Sequence, residues 1–411
     1  MVRTIGRPDS ICTHPDTPAA AVQQKNRLTT MSTPTPLKKE HEEKAVGFLN
    51  YGPEESAIAL PIHFGEPEVE YAAVRKTAAL SDMPQRGLLR MSGEDHVAFL
   101  QNMLTQDISR SKPGEVLHSF LLNRQGHIEA DLTLIRESDC TWIDLDIHNA
   151  ETCREILEGF VFTEDVVIEN VTQEYHHLCL HGPLGDVLLS ELTEDETAKD
   201  AIRNMANRQA LSAVIAGAEG RIYRDDVTGS KGFHLLLKTT DVLKVYRALR
   251  ETGDANDSFA AGLPELGWSS FNVARVEAGT PYFNIDFAAD NLPNETGVLD
   301  DRVSFTKGCY LGQEIVARIH TQGNPKQILR GLKINNDDAL PATGAEVSTD
   351  AEGAVIGAVT SSALSPLLSM TPIAFAMIKH SAAEIGSEVT VRAEGRQVRA
   401  TVQELCFLPG K

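Results

Sequence analysis

The octad Lys307-Gly308-Cys309-Tyr310-Leu311-Gly312-Gln313-Glu314 carries a thiol two residues after a cation, between two glycines, and an Ile-Val-Ala run follows Glu314. The apolar run predicts the start of a helix, so Cys309 is expected on a tight loop near the positive end of a helix dipole. Beside Lys307, a thiol there is expected to be more acidic than a free one, because both features favour the thiolate. The same residues also suit a small buried hydrophobe, the ordinary state of a free cysteine. A second chemical candidate, the carboxylate Asp131, lies far upstream.

The elements that must position these groups are readable in part. Residues 116–123 and 128–136 alternate as strands around Arg124-Gln125-Gly126-His127, which predicts a hairpin with Asp131 in its second strand. Taken alone, an aspartate in a strand is ordinarily solvent-facing. A further strand, 142–147, leads through His148-Asn149-Ala150-Glu151 into a helix over 152–162, with Asp146 and Asn149 at the turn. Residues 97–104 form a one-faced helix. In 175–181, His177, Cys179 and His181 share one strand face. Ligands at two-residue spacing on one strand rarely converge on an ion, so no metal site is expected. Residues 195–217 read as polar helix, 221–226 and 233–238 as paired strands, and 240–251 as an amphipathic helix. Arg275 and Glu277, two apart on a helix ending at Gly279, face different directions. Beyond 327, six short strands separated by Gly, Pro and Asp turns predict a small β-barrel.

Composition bounds the function. A chain of 411 residues allows two or three domains. A formal charge of −20 and a pI near 5.1 argue against a broad nucleic-acid or anionic-membrane surface, while leaving room for a basic pocket around a small acidic ligand. No apolar run reaches the length of a membrane span. Six cysteines, at 12, 140, 153, 179, 309 and 406, form no CxxC pair, which suggests a reducing compartment. Residues 1–44 read as a disordered tail. Its acidic residues and prolines argue against a transit peptide, and Met31 is an alternative start. The expected location is cytoplasmic, or the mitochondrial matrix if the tail is a transit peptide. The expected domains are the tail, a region over 45–326, and a barrel over 327–411.

The octad resembles the Lys-Gly-Cys-Tyr/Phe-x-Gly-Gln-Glu signature of the YgfZ family, folate-binding relatives of the glycine-cleavage T-protein implicated in maintaining iron–sulfur proteins. The T-protein itself usually has an acidic residue at the position of Cys309. The segment from Asn123 through Gly126 to Asp131-Leu132 resembles the T-protein's Asn-x-x-Gly-Gly-x-x-Asp-Asp-Leu, with Asp131 on the second, catalytic aspartate and Ala130 on the first. Similarity continues through Arg275-Val-Glu277-Ala-Gly279 and into the C-terminal strands, spanning about Ala72 to Pro409.

The resemblance implies an α+β cloverleaf of two antiparallel-sheet segments around a central channel, closed by a C-terminal β-barrel. It implies tetrahydrofolate or a derivative in that channel, with its pterin toward Asp131, Asn123, Asp146 and Asn149 near it, and its glutamate end toward Arg275 or Arg318. Tyr310 and Cys309 are expected to face the same cavity, with Cys309 as an essential thiol. His234, in Gly232-Phe233-His234, stands where the T-protein usually has a folate-contacting Glu, which argues against standard aminomethyl transfer. The implied function is support of iron–sulfur enzymes or assembly proteins, including enzymes that modify tRNA, by a monomer without direct nucleic-acid contact. The alternatives are a folate-dependent aminomethyltransferase or demethylase and a folate-binding module without turnover.

Overall fold

Period-two alternation builds both halves of the N-terminal region. In the strand Ile128–Arg136, Ala130, Leu132 and Leu134 pack beneath helices, while Asp131 and Thr133 point the other way. In Cys140–Asp146, Ile143 and Leu145 join the same core, and Trp142, Asp144 and Asp146 take the opposite face. The second half repeats the device. Leu178 and Leu180 of Tyr175–His181, with Phe233, Leu235 and Leu237 of Gly232–Lys238, enter one core, leaving His177 and His234 on the other face.

The computed structural model describes residues 35–335 and 337–408. One five-stranded antiparallel sheet runs in the order Val116–Leu122, Ile128–Arg136, Cys140–Asp146, Arg86–Ser92, Val167–Asn170. The other runs Ala210–Ile215, Ala218–Arg224, Gly232–Lys238, Tyr175–His181, Ala79–Asp82, also antiparallel. Their non-helical faces meet: Leu88, Trp142, Tyr223 and Leu236 form one apolar cluster drawn from both sheets. Six antiparallel strands between Gln327 and Gln403 close into the predicted barrel. The α+β cloverleaf with a C-terminal barrel is the observed fold.

Several elements depart from expectation. Residues 210–215 form a strand rather than helix, because Ala-Leu-Ser-Ala-Val-Ile pairs with Ala218–Arg224 across a tight turn at Ala216-Gly217. The hairpin Phe48–Tyr51 with Ile58–Pro61 was not anticipated. The end of the expected tail is ordered: Lys38–Lys44 is helical, and Leu37 is fully buried in the core of the second sheet. The rest of that expectation, for residues 1–34, lies outside the described residues.

The helix Lys38–Lys44 is pinned by His41, whose Nε2 lies 2.8 Å from Asp82 and whose Nδ1 lies 3.5 Å from Glu265. Burial alone would depress this imidazole, but the two carboxylates outweigh it and raise its pKa to about 9. An unfolded histidine titrates near about 6.5, so the stabilisation is complete below that pH and is lost as pH rises through the folded value. The span corresponds to about 3 kcal/mol. Thermal melts at pH roughly 6 and roughly 9.5 are expected to differ more for the native chain than for His41→Gln. Equal differences would mean that His41 is not the titrating clamp.

Candidate active site

Between the two sheets lies a cleft with about 680 Å³ of non-atom space, its open mouth included. The first sheet supplies Arg86, His118, Asp131, Thr133, Asp144 and Asp146 to its wall, and the second supplies His177, Tyr223 and His234. Tyr51, Met83, Gln85, Asp225, Val227, Arg302 and the 280–283 segment complete it.

The wall is a network of paired charges. Asp131 sits in the fork of Arg302, with Oδ1 3.2 Å from Nε and Oδ2 3.5 Å from Nη2. Burial of Arg302 opposes its charge, but Asp131 and Asp301 outweigh burial and keep the guanidinium cationic. Such a planar fork fixes the orientation of the carboxylate as well as its charge environment. Asp144 accepts from Arg86 Nε at 2.7 Å and from the Tyr223 hydroxyl. Burial, then the Asp144 charge, pushes Tyr223 well above its usual range, so the phenol stays protonated and donates. His118 bridges Asp225 at 2.7 Å and Asp301 at 3.0 Å. Asp225 is held below the usual carboxylate range, since His118 and Arg208 outweigh the opposing burial.

Asp146 plays two parts. It caps the helix Ile147–Glu158 by accepting from the His148 amide at 2.9 Å, and it accepts from the Tyr51 hydroxyl. Tyr51 arrives on the unanticipated N-terminal hairpin. His234 stacks on Tyr223, ring centroids 4.6 Å apart at 9°, and its Nδ1 lies 2.9 Å from His177 Nε2. Burial, then the proximity of His177, lowers His234 to about 3, so its imidazole is neutral. Two buried polar atoms of the lining, Gln85 Oε1 and His177 Nδ1, have no hydrogen-bond partner among the described residues.

Of the expected site residues, Asp131, Asp146 and His234 share this cleft, and the others lie elsewhere. Cys309 is exposed and does not line it. The octad folds onto the hairpin turn instead. Gly312, at φ +80°, approaches so closely that a Cβ would lie 2.6 Å from the Asn123 carbonyl, and Gly126, at φ +78°, would meet Ile315. Lys307 does not serve the thiol: its ammonium donates to the carbonyls of Gln101, Leu104 and Gln106 at 2.6, 2.6 and 2.9 Å, closing the end of the helix His96–Met103. Tyr310 packs with Phe120, Leu122 and Phe283. Asn123 is spent on the turn, accepting from the amides of Gln125 and His127. Asn149 donates to the Glu129 carbonyl and accepts from Asn284.

Arg275 does not reach a ligand. It is fully buried and holds Asp286 at 2.7 Å and Ser361 Oγ at 2.6 Å, tying the helix Trp268–Ala278 to the barrel. Glu277 is likewise structural, bonded to Arg75 at 2.6 Å and to Tyr71. Arg318 is exposed on the helix Gln313–Gln322 and is not part of the lining.

Sequence reasoning missed Tyr51, Arg86, His118, Asp144, Tyr223, Asp225 and Arg302. Asp144 was within reach, because it shares a strand face with Asp146. His177 was noticed only as part of a metal trio. In the fold it pairs with His234, while Cys179, whose thiol burial pushes far up, approaches His181 Nδ1 at 3.8 Å.

Residues 51–307 match the GCVT N-terminal domain, and residues 328–408 match the glycine cleavage T-protein C-terminal barrel domain. The chain belongs to this T-protein superfamily. It is 28% identical over 370 residues to an aminomethyltransferase of Geobacillus sp. (strain WCH70), covering 90% of this chain and 96% of that one. An aminomethyltransferase of Caldanaerobacter subterraneus subsp. tengcongensis is 27% identical over 350 residues, covering 85% and 90%. The fold is similar to the crystal structure of glycine cleavage system aminomethyltransferase T from Bartonella henselae, with a TM-score of 0.78, 23% identity, and 92% and 98% of the two chains covered.

Proposed function

We propose that this chain is a tetrahydrofolate-dependent one-carbon transferase of the aminomethyltransferase type, with the pterin in the inter-sheet cleft. The observation that carries the reading is Asp131, a carboxylate oriented by Arg302 at the wall of that cleft. A carboxylate so held accepts parallel hydrogen bonds from an amidine edge and stabilises a cation developing at the transferred carbon. The residues present suit such a ligand, since Gln85 and His177 offer unpartnered polar atoms to a heterocycle rich in N–H groups. Relatives named as aminomethyltransferases, matched over 90% or more of their own length, support the same reading.

His234 was the argument against aminomethyl transfer. The cleft nevertheless carries Asp131, Asp144, Asp146 and Asp225 on its walls, so the loss of one glutamate leaves it acidic.

The second reading is a YgfZ-type factor supporting iron–sulfur enzymes, and the exposed Cys309 within the octad favours it. A thiol on an open loop is available to a protein partner rather than to a ligand in the cleft. Cys309→Ala separates the two. Under the first reading, transfer of an aminomethyl group from a lipoyl carrier to tetrahydrofolate stays within about twofold of native, as for a surface substitution away from the chemistry. Loss of rescue of iron–sulfur enzyme activity in cells, with transfer absent from the native protein as well, would overturn it in favour of the second.

A further inference from the structure

The histidine pair in the cleft has a fixed hydrogen-bond polarity. The backbone carbonyl of Asp225 can only accept, so His234 Nε2, 3.2 Å away, carries the proton. Burial keeps both rings neutral, with His234 lowered to about 3 and His177 well below its usual value. A neutral His234 therefore accepts at Nδ1, and His177 donates to it from Nε2. That leaves His177 Nδ1 as a buried lone pair with no hydrogen-bond partner among the described residues, on a side chain that lines the cleft and is only 4% exposed.

Asp144 Oδ2 lies 3.3 Å from this nitrogen, and it too is an acceptor, already used by Tyr223. Gln85, in the same wall, likewise has its Oε1 without a hydrogen-bond partner among the described residues. The donors around them are committed: Arg86 to Asp144, Arg302 to Asp131 and Asp301, Tyr51 to Asp146. Open acceptors in a buried wall are costly unless a ligand supplies hydrogens.

We propose that His177, together with Gln85, reads N–H donors of the bound heterocycle and makes the cleft selective for a reduced pterin over a fully oxidised one, an inference that rests on the folate reading above. A tetrahydropterin carries hydrogens on N5 and N8, where the oxidised ring presents lone pairs. Toward His177 and Asp144 the reduced ring gains a hydrogen bond, and the oxidised ring sets acceptor against acceptor. A site built around such a bond rejects the analogue that lacks the donor.

Anaerobic calorimetric titration of the 411-residue chain with tetrahydrofolate and with folic acid tests this. The native chain is expected to favour tetrahydrofolate roughly tenfold to a hundredfold, the range set by one unsatisfied buried acceptor. His177→Phe, which keeps an aromatic ring, loses most of that preference by weakening tetrahydrofolate alone. Gln85→Met, at a separate position, moves the ratio in the same direction and guards against misfolding of the first variant. Nitrogen-15 spectra add a direct readout: His177 Nδ1 shifts on binding tetrahydrofolate and not on binding folic acid. Equal native affinities, or variants that weaken both ligands alike, overturn the inference while the folate reading stands. A native protein that binds neither ligand removes the folate reading, and this inference falls with it.

Discussion

Asp131→Asn is expected to lower the rate of folate-dependent transfer by roughly 10²- to 10³-fold, the scale seen when a group aimed at developing charge is removed. The substitution keeps the shape and one acceptor oxygen and removes the charge. Folding should be little affected, because Arg302 retains Asp301 as a counter-ion. Tetrahydrofolate binding should weaken less than transfer, since one of two acceptor sites survives. The split between rate and affinity is the diagnostic, because a purely structural aspartate would move thermal stability and leave a stable variant at native rate. Transfer at the native rate by a folded Asp131→Asn protein would remove Asp131 from the chemistry.

Arg275→Met is the second large effect, and it falls on stability. Arg275 and Asp286 are both buried, so truncating the cation strands a carboxylate in the interior. Breaking such a pair costs about 3–5 kcal/mol. Ser361, Thr360 and the Tyr282 amide still donate to Asp286, which argues for the lower end of that range. Urea unfolding should register the loss, with folate affinity unchanged in the folded protein. Arg275→Met with Asp286→Leu should recover much of it, since an apolar replacement of a whole buried pair is tolerated. A stable Arg275→Met protein with weakened folate affinity would restore Arg275 to the ligand's acidic tail.

The contrast between Asp131 and Arg275 indicates what a sequence discloses. Asp131 lies on a hairpin whose turn and alternation are local, and the strand's period of two fixes which face it takes. The barrel was legible for the same reason, as six short strands with clear turns. Arg275 also stood on a correctly read helix, but its partner Asp286 and the barrel residue Ser361 reach it through loops that no local pattern predicts. Lys307 is the sharper case. It is two residues from Cys309 in the chain, yet its ammonium serves carbonyls about two hundred positions earlier. Proximity in sequence suggested an acidified thiol, whereas the strong pull of unsatisfied helix-end carbonyls decided where the cation went. The remaining wall of the cleft was hidden because it forms only when two sheets meet, pairing Asp144 with Tyr223 and His118 with Asp225.

A crystal structure of the 411-residue chain grown anaerobically with tetrahydrofolate tests the central claim most directly. Pterin density is expected between the sheets, in contact with Asp131 and within hydrogen-bonding distance of His177, with Cys309 left on the open loop. Pterin density against Cys309 on the outer surface, or a cleft closed by side chains while folate binds elsewhere, would contradict it.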